Sequence, residues 1–153
     1  MARFTLDRDI RFFEGISREL VDAVITTAVV LYKLVIENSK TNLYGESLSK
    51  TYYQGVECNA MIERGETLST YEGFGADTNQ TVKFRFNRFS LKDTGFYPEV
   101  GDIIYHNDGY FEIDNVSEDQ LIGGRTGEQE HFSLICDTFM TRRSTIQTEM
   151  RIE

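Results

Sequence analysis

The chain has no tryptophan, a single proline and two cysteines. With Pro98 as its only proline, long disordered linkers of the proline-rich kind are excluded. Cys58 and Cys136 are neither in CxxC spacing nor beside other ligands, which argues against a zinc site. Each falls in an apolar strand pattern, where a thiol acts as a small hydrophobe. Reduced thiols and an intracellular site of synthesis are expected. Positive charge is also short: 16 Lys and Arg against 25 Asp and Glu give a net charge of −9. That excludes a grip on nucleic acid by phosphate neutralisation, which needs a basic face. Solubility accounts for the acidity most simply. No apolar run is long: Ala23 to Tyr32, between Asp22 and Lys33, has about half the ~20 residues that span a bilayer. The opening MARFTLDRDIRF is charged throughout, so no secretory signal is expected.

What is present is plentiful Phe and Tyr in a chain of 153 residues, a length that suggests one domain, 1–153. The firmest local signal is PEVGDIIYHNDGYFEIDNV, Pro98 to Val116. Ile103, Ile104 and Tyr105 are strand formers. Asn107-Asp108-Gly109 tolerates positive φ and predicts a tight hairpin turn. Tyr110 to Asp114 form the return strand, with Val116 continuing the alternation of Ile113.

Residues 1–15 form a charged, aromatic arm or short helix with Phe4, Phe12 and Phe13. A helix is expected over 16–37. Ser17 is its N-cap, and Leu20, Val21, Val24, Ile25, Ala28, Leu31 and Val35 recur at helical spacing. It is rich in β-branched residues, and Val29-Val30-Leu31 would suit a strand as well. Its other side, including Val30, is only mildly polar, so it wants burial on most sides. Asn38 to Gln54 reads as a connection anchored by Leu43, Tyr44, Leu48, Tyr52 and Tyr53.

From Gly55 the period becomes two. Val56, Cys58, Ala60 and Ile62 share a buried face. Arg64 to Gln80 reads as a glycine-bearing loop. No lysine and helix follow it, so it is no phosphate cradle. Val82, Phe84 and Phe86 form a second half-buried strand. Phe89 and Leu91 resume after a one-residue slip that suggests a bulge. Leu121-Ile122 is a short strand, and 123–127 a flexible loop. Phe132 to Phe139, apolar on both faces, is a central strand. Arg142 to Ile152 is a charged edge strand. The expected class is mainly β (α+β): an antiparallel sheet or small β-barrel over 52–153, of about six or seven strands, with one long N-terminal helix.

No reactive constellation accompanies this fold. His106 and His131 read as surface or turn histidines. Asp102, Asp108, Glu112, Asp114 and Glu118 could supply paired carboxylates for acid–base work. Turn formation and solvated strand faces explain them better, Asp102 and Asp108 above all. No serine lies in a nucleophile elbow. Arg142-Arg143 is too small for a nucleic-acid footprint.

The segments QGVECNAMIER, YEGFGADTNQTVKFRF and PEVGDIIYHNDGYFEIDNV, in that order, resemble the neck proteins of contractile-tailed bacteriophages. The resemblance covers Gly55 to Val116. It implies a non-enzymatic virion protein without cofactor or metal, assembled in the host cytoplasm and located at the head–tail junction. Several copies would form a ring that completes the DNA-filled head and joins it to the tail. The implied partners are further copies, the portal or other connector proteins and the tail terminator, with no membrane. Packaged DNA would pass through without specific binding. The subunit contacts are expected at Phe12, Phe13, Val30, Tyr71, Phe74, Arg142 and Arg143. The alternatives are a tail terminator or completion ring, a ligand-binding β-barrel module using exposed aromatics, and a small carboxylate hydrolase.

Overall fold

In the computed structural model the described residues are 7–35, 40–41, 47–72, 75–118, 133–141 and 146–148. The chain opens with helix α1 (Asp7–Glu19), which runs into a π-helical stretch, Leu20–Ile25. Thr26 ends it in the left-handed region (φ 45°), its N–H bonding to the Val21 carbonyl at 3.1 Å. The strands are β1 (Ala28–Tyr32), β2 (Lys40–Thr41), β3 (Ser47–Tyr52), β4 (Val56–Asn59), β5 (Met61–Glu72) and β6 (Gly75–Asn87). After helix α2 (Arg88–Thr94) come β7 (Ile103–His106), β8 (Gly109–Glu118), β9 (Ser133–Thr141) and β10 (Ile146–Thr148).

The helix expected over 16–37 is therefore two elements. The helical part begins nine residues earlier, at Asp7, and stops at Ile25. Beyond it β1 alternates between exposed or half-buried and buried positions, with Val29 and Leu31 inside. The β-branched pair Val29-Val30 is stiff at χ1 and suits a pleated surface. Pairing with β4 on one side and β7 on the other then decides the outcome.

Seven strands form one antiparallel sheet in the order β4-β1-β7-β8-β9-β6-β5. It is mostly β, with two short helices, as the sequence predicts for the class. The ladder is open between β4 and β5, yet these are successive pieces of one chain run with Ala60 alone between them. The two ends of the sheet thus meet at Ala60, whose N–H bonds to the Thr27 carbonyl at 3.0 Å. The sheet curls around Val29, Leu31, Cys58, Ala60, Val82, Phe84, Phe86, Ile104, Phe111, Ile113, Leu134 and Cys136. Phe84 packs edge-on to Phe111, ring centres 5.6 Å apart. Each fully buried large apolar side chain here contributes about 1.5–3 kcal/mol of burial.

Other local expectations are corrected. The stretch after β6 is α2 and no bulge. Asn87 caps it, Oδ1 accepting from Phe89 N–H (3.0 Å) and Ser90 N–H (3.4 Å). Gly95 (φ 70°) ends it, with Gly95 N–H to Lys92 O and Phe96 N–H to Leu91 O, and Leu91 and Phe96 both buried. That is a Schellman stop with its apolar contact. The stretch 38–54 supplies β2 and β3 of a second sheet, ordered β10-β3-β2, with β10 parallel to β3 at its edge. Tyr52 is fully buried and Tyr53 exposed. Leu43, Tyr44, Leu121, Ile122 and the 123–127 loop lie outside the described residues.

The expected loop at Arg64–Gln80 is instead the far half of the β5–β6 hairpin, paired from Thr67↔Gln80 to Glu72↔Gly75. One extra residue in β5 opposite Thr81 makes a bulge, which bends a strand and increases its twist. Thr81 is also where pairing of β6 with β9 begins. Beyond that point, among the described residues, β5 and β6 pair with each other alone, as a two-stranded ribbon about 20 Å long.

Candidate functional site

The Pro98–Val116 hairpin is built as its sequence suggests. His106 pairs with Gly109, and Asn107 (φ 47°) and Asp108 (φ 62°) both take left-handed geometry. That is a type I′ turn, the form whose twist matches the strands. Asp102 is no solvated turn residue. It is 1 % exposed and accepts from three donors. Leu34 N–H reaches Oδ1 at 2.9 Å, and Oδ2 takes Glu99 N–H at 2.8 Å and Lys33 Nζ at 3.1 Å. Its own carbonyl accepts from Ile113 N–H at 2.9 Å. Lys33 also bonds the Tyr97 carbonyl (2.9 Å) and the Glu99 carboxylate (2.8 Å), 5.6 Å from the centre of the Phe96 ring. Burial works against the Lys33 charge. Its hydrogen bonds and the negative charges of Glu99 and Asp102 outweigh that, so its pKa is raised. This knot ties β1, the Pro98 turn and the hairpin together.

Three of the other acids have separate partners. Glu112 pairs with Lys50 of β3. Asp108 accepts from the Tyr105 hydroxyl at 3.0 Å, and Glu118 pairs with Arg88 at 3.6 Å. His106 sits next to the turn, half-buried, with its ring edge-on to Phe84 at 6.4 Å. His131 lies outside the described residues. Among the described residues no group of three or more His, Cys, Asp or Glu is placed to hold a metal ion. Among them, too, no helix is long and apolar enough to cross a membrane. Cys58 and Cys136 are buried free thiols. Burial first, then nearby negative groups, push each up to about 12. Neither forms a thiolate near neutral pH, so neither is a nucleophile there.

The expected contact residues fall unevenly. Phe12 (64 % exposed) and Phe13 (48 %) lie on α1, their rings 6.0 Å apart. With Ile16, Leu20 and Val24 (68 %) they make an exposed apolar stripe at four-residue spacing, which on a helix is one face. Ile16, Leu20 and Val24 were missed as surface because a core-facing helix carries the same spacing. Val30 is half-buried on the outer face of β1. The Tyr71 backbone pairs with Ala76 near the ribbon end. Phe74, Arg142 and Arg143 lie outside the described residues. Of the four that are described, Phe12 and Phe13 sit together on α1, Val30 lies on β1 and Tyr71 on the β5–β6 ribbon.

No protein-family model matches the chain, and no curated protein matches it. Five chains of solved structures do. One belongs to the virion of a native gene transfer agent particle. It is 17 % identical, with a TM-score of 0.46, and the match covers 74 % of this chain and 93 % of that one.

Proposed function

We propose that the chain is a structural virion protein, a subunit of a ring in the phage neck that completes the head and joins it to the tail. It works through contact surfaces and not by turnover. The observation that carries this reading is the α1 stripe of Phe12, Phe13, Ile16, Leu20 and Val24. Five large apolar side chains on one exposed helix face call for a protein partner. A further copy supplies that partner in a head-to-tail ring. The ribbon beyond Thr81 supports the same reading, because an isolated two-stranded hairpin is marginal in water and gains from docking. The virion class and the neck position rest on the resemblance carried by the ordered motifs from Gly55 to Val116. The net charge of −9 would let DNA pass through the ring without adhering.

Sedimentation and electron microscopy of the purified protein test the ring. Closed particles of one symmetry are expected, and folded monomers for the double variant Phe12→Asp, Val24→Asp. A wild-type protein that stays monomeric at every concentration refutes the self-association. Mass spectrometry of purified virions tests the location, and absence of the chain from particles refutes it. Deleting residues 66–78 should leave a folded protein whose heads fail to accept tails. Tail-competent heads carrying that deletion would remove the ribbon from the contact surface.

A further inference from the structure

A row of side chains crosses the sheet on the face turned away from the core. The pairing register sets Glu57, Val30, Tyr105, Tyr110 and Thr141 side by side on β4, β1, β7, β8 and β9. Tyr32, two residues beyond Val30, shares that face. The Tyr105 and Tyr110 rings lie 4.9 Å apart between centres and are tilted by 47°. The Tyr105 hydroxyl donates to Asp108 Oδ1 at 3.0 Å, which fixes the ring. Tyr32 pairs with Ile103, two residues along the ladder from Val30↔Tyr105, and its pKa is raised, first by burial and then by Tyr110. The Gly55 backbone closes the far edge. A Cβ there would come within 2.4 Å of Val30 Cγ1 and 2.8 Å of Tyr32 Cε1. The three tyrosines are half-buried, with Glu57 and Asp108 exposed beside them.

Aromatic faces are electron-rich, and here they are flanked by carboxylates. Among the described residues the cation set over a ring is Lys33, at Phe96, and Lys50 is engaged by Glu112. The tyrosine row thus offers π faces and negative charge with no described cation against it. A planar guanidinium fits best, because it stacks on rings and bonds a carboxylate at once, with little hydration to lose. An anionic ligand would be repelled by Glu57, by Asp108 and by the net charge of −9.

We propose that this face docks an arginine side chain of another protein chain, its guanidinium stacked on the Tyr105–Tyr110 pair and hydrogen-bonded to Asp108. The assignment does not depend on the ring reading. The test is a titration of the isotope-labelled protein, followed by its backbone amide resonances. The probes are three short capped peptides that differ only in carrying arginine, lysine or citrulline. Arginine should shift the Tyr32, Tyr105 and Tyr110 amides and saturate on the order of millimolar. Citrulline should not bind, and lysine should bind more weakly. Tyr105→Leu and Tyr110→Leu should each weaken arginine binding about two- to fivefold. Tyr105→Phe, which keeps the ring, should retain more of the affinity than Tyr105→Leu. Equal response to citrulline overturns the proposal. So do shifts scattered over the acidic surface and undiminished in the leucine variants. Binding that appears only after Arg142→Gln and Arg143→Gln would also overturn it, because the chain's own arginines would then be the occupants.

Discussion

Asp102 carries the sharpest prediction. Replacing it with Asn preserves the shape and removes the charge. The new side chain can still accept Leu34 N–H through Oδ1, now 2.9 Å away. At the Oδ2 position an NH2 group would face two donors, Glu99 N–H at 2.8 Å and Lys33 Nζ at 3.1 Å. One hydrogen bond and one ion pair become donor–donor contacts. A buried donor left without its acceptor costs about 1–3 kcal/mol, more when charged. Breaking one partner of a buried pair costs about 3–5 kcal/mol. Lys33 is less buried than Asp102 and keeps Glu99, so we expect about 2–4 kcal/mol for Asp102→Asn. Asp102→Ala, which also orphans Leu34 N–H, should cost about 1 kcal/mol more. Against a total of about 5–15 kcal/mol, either loss is large. Lys33→Met should cost less, because Asp102 retains both backbone donors. The two sites should couple by about 0.5–3 kcal/mol in a double-mutant cycle. The assay is urea unfolding at fixed protein concentration, because association would shift the midpoint by mass action. An Asp102→Asn protein within about 0.5 kcal/mol of wild type, a change ordinary for surface substitutions, would refute the role given to this carboxylate.

Asn87→Ala should lose about 0.5–2 kcal/mol with the α2 cap, read by the same unfolding assay. Asn87→Asp keeps an acceptor for Phe89 and Ser90 N–H but puts a charge at a site 1 % exposed, so it should not recover the wild-type stability. Gly65→Ala should destabilise by about 1–3 kcal/mol, the usual range for overpacking. Its Cβ would sit 2.5 Å from Thr81 Oγ1 and 2.9 Å from Thr81 O, and adding Thr81→Ala should rescue only in part, because the carbonyl remains. The thiols make a pH prediction. Folding raises Cys58 and Cys136 from about 9 to about 12, so only the unfolded chain gains by ionising between those values. Their contribution is constant below pH 9, and stability falls as pH rises from 9 towards 12. Iodoacetamide should label them at neutral pH only at the rate of unfolding, and fast labelling of folded protein would contradict their burial.

Much of the fold was legible because its signals are local. The Asn107-Asp108 turn, the Val82-Phe84-Phe86 alternation and the two-faced apolar strand from Ser133 all declare themselves within a few residues. α2 was missed, although Asn87 as cap and Gly95 as stop bracket Arg88–Thr94. The alternation of the preceding strand masks them, because Phe89 and Leu91 appear to continue it out of phase. The 28–32 segment is different. Its apolar residues fit both periods, and what decides is the pair of strands on either side, Cys58 against Val29 and Ile104 against Leu31, which are remote in sequence. The Arg64–Gln80 ribbon hid for the opposite reason. It has little apolar content to alternate, and its strand character shows in the pairing of β5 with β6.

The contact surfaces follow the same division. Phe12 and Phe13, which are exposed on α1, could be singled out because aromatics on a charged terminal segment are anomalous wherever they occur. The tyrosine row could not, because Tyr32 and Tyr105 are neighbours only once β1 lies beside β7. The buried role of Asp102 is hidden in the same way. Gly101-Asp102 reads as an ordinary turn until Lys33 and Leu34 arrive from the end of β1, the strand beside β7 but remote in sequence. The properties that decide what an acid or a tyrosine does here, its burial and its partner, are set by pairings between distant strands. Residue type and spacing reach only as far as the strand they sit on.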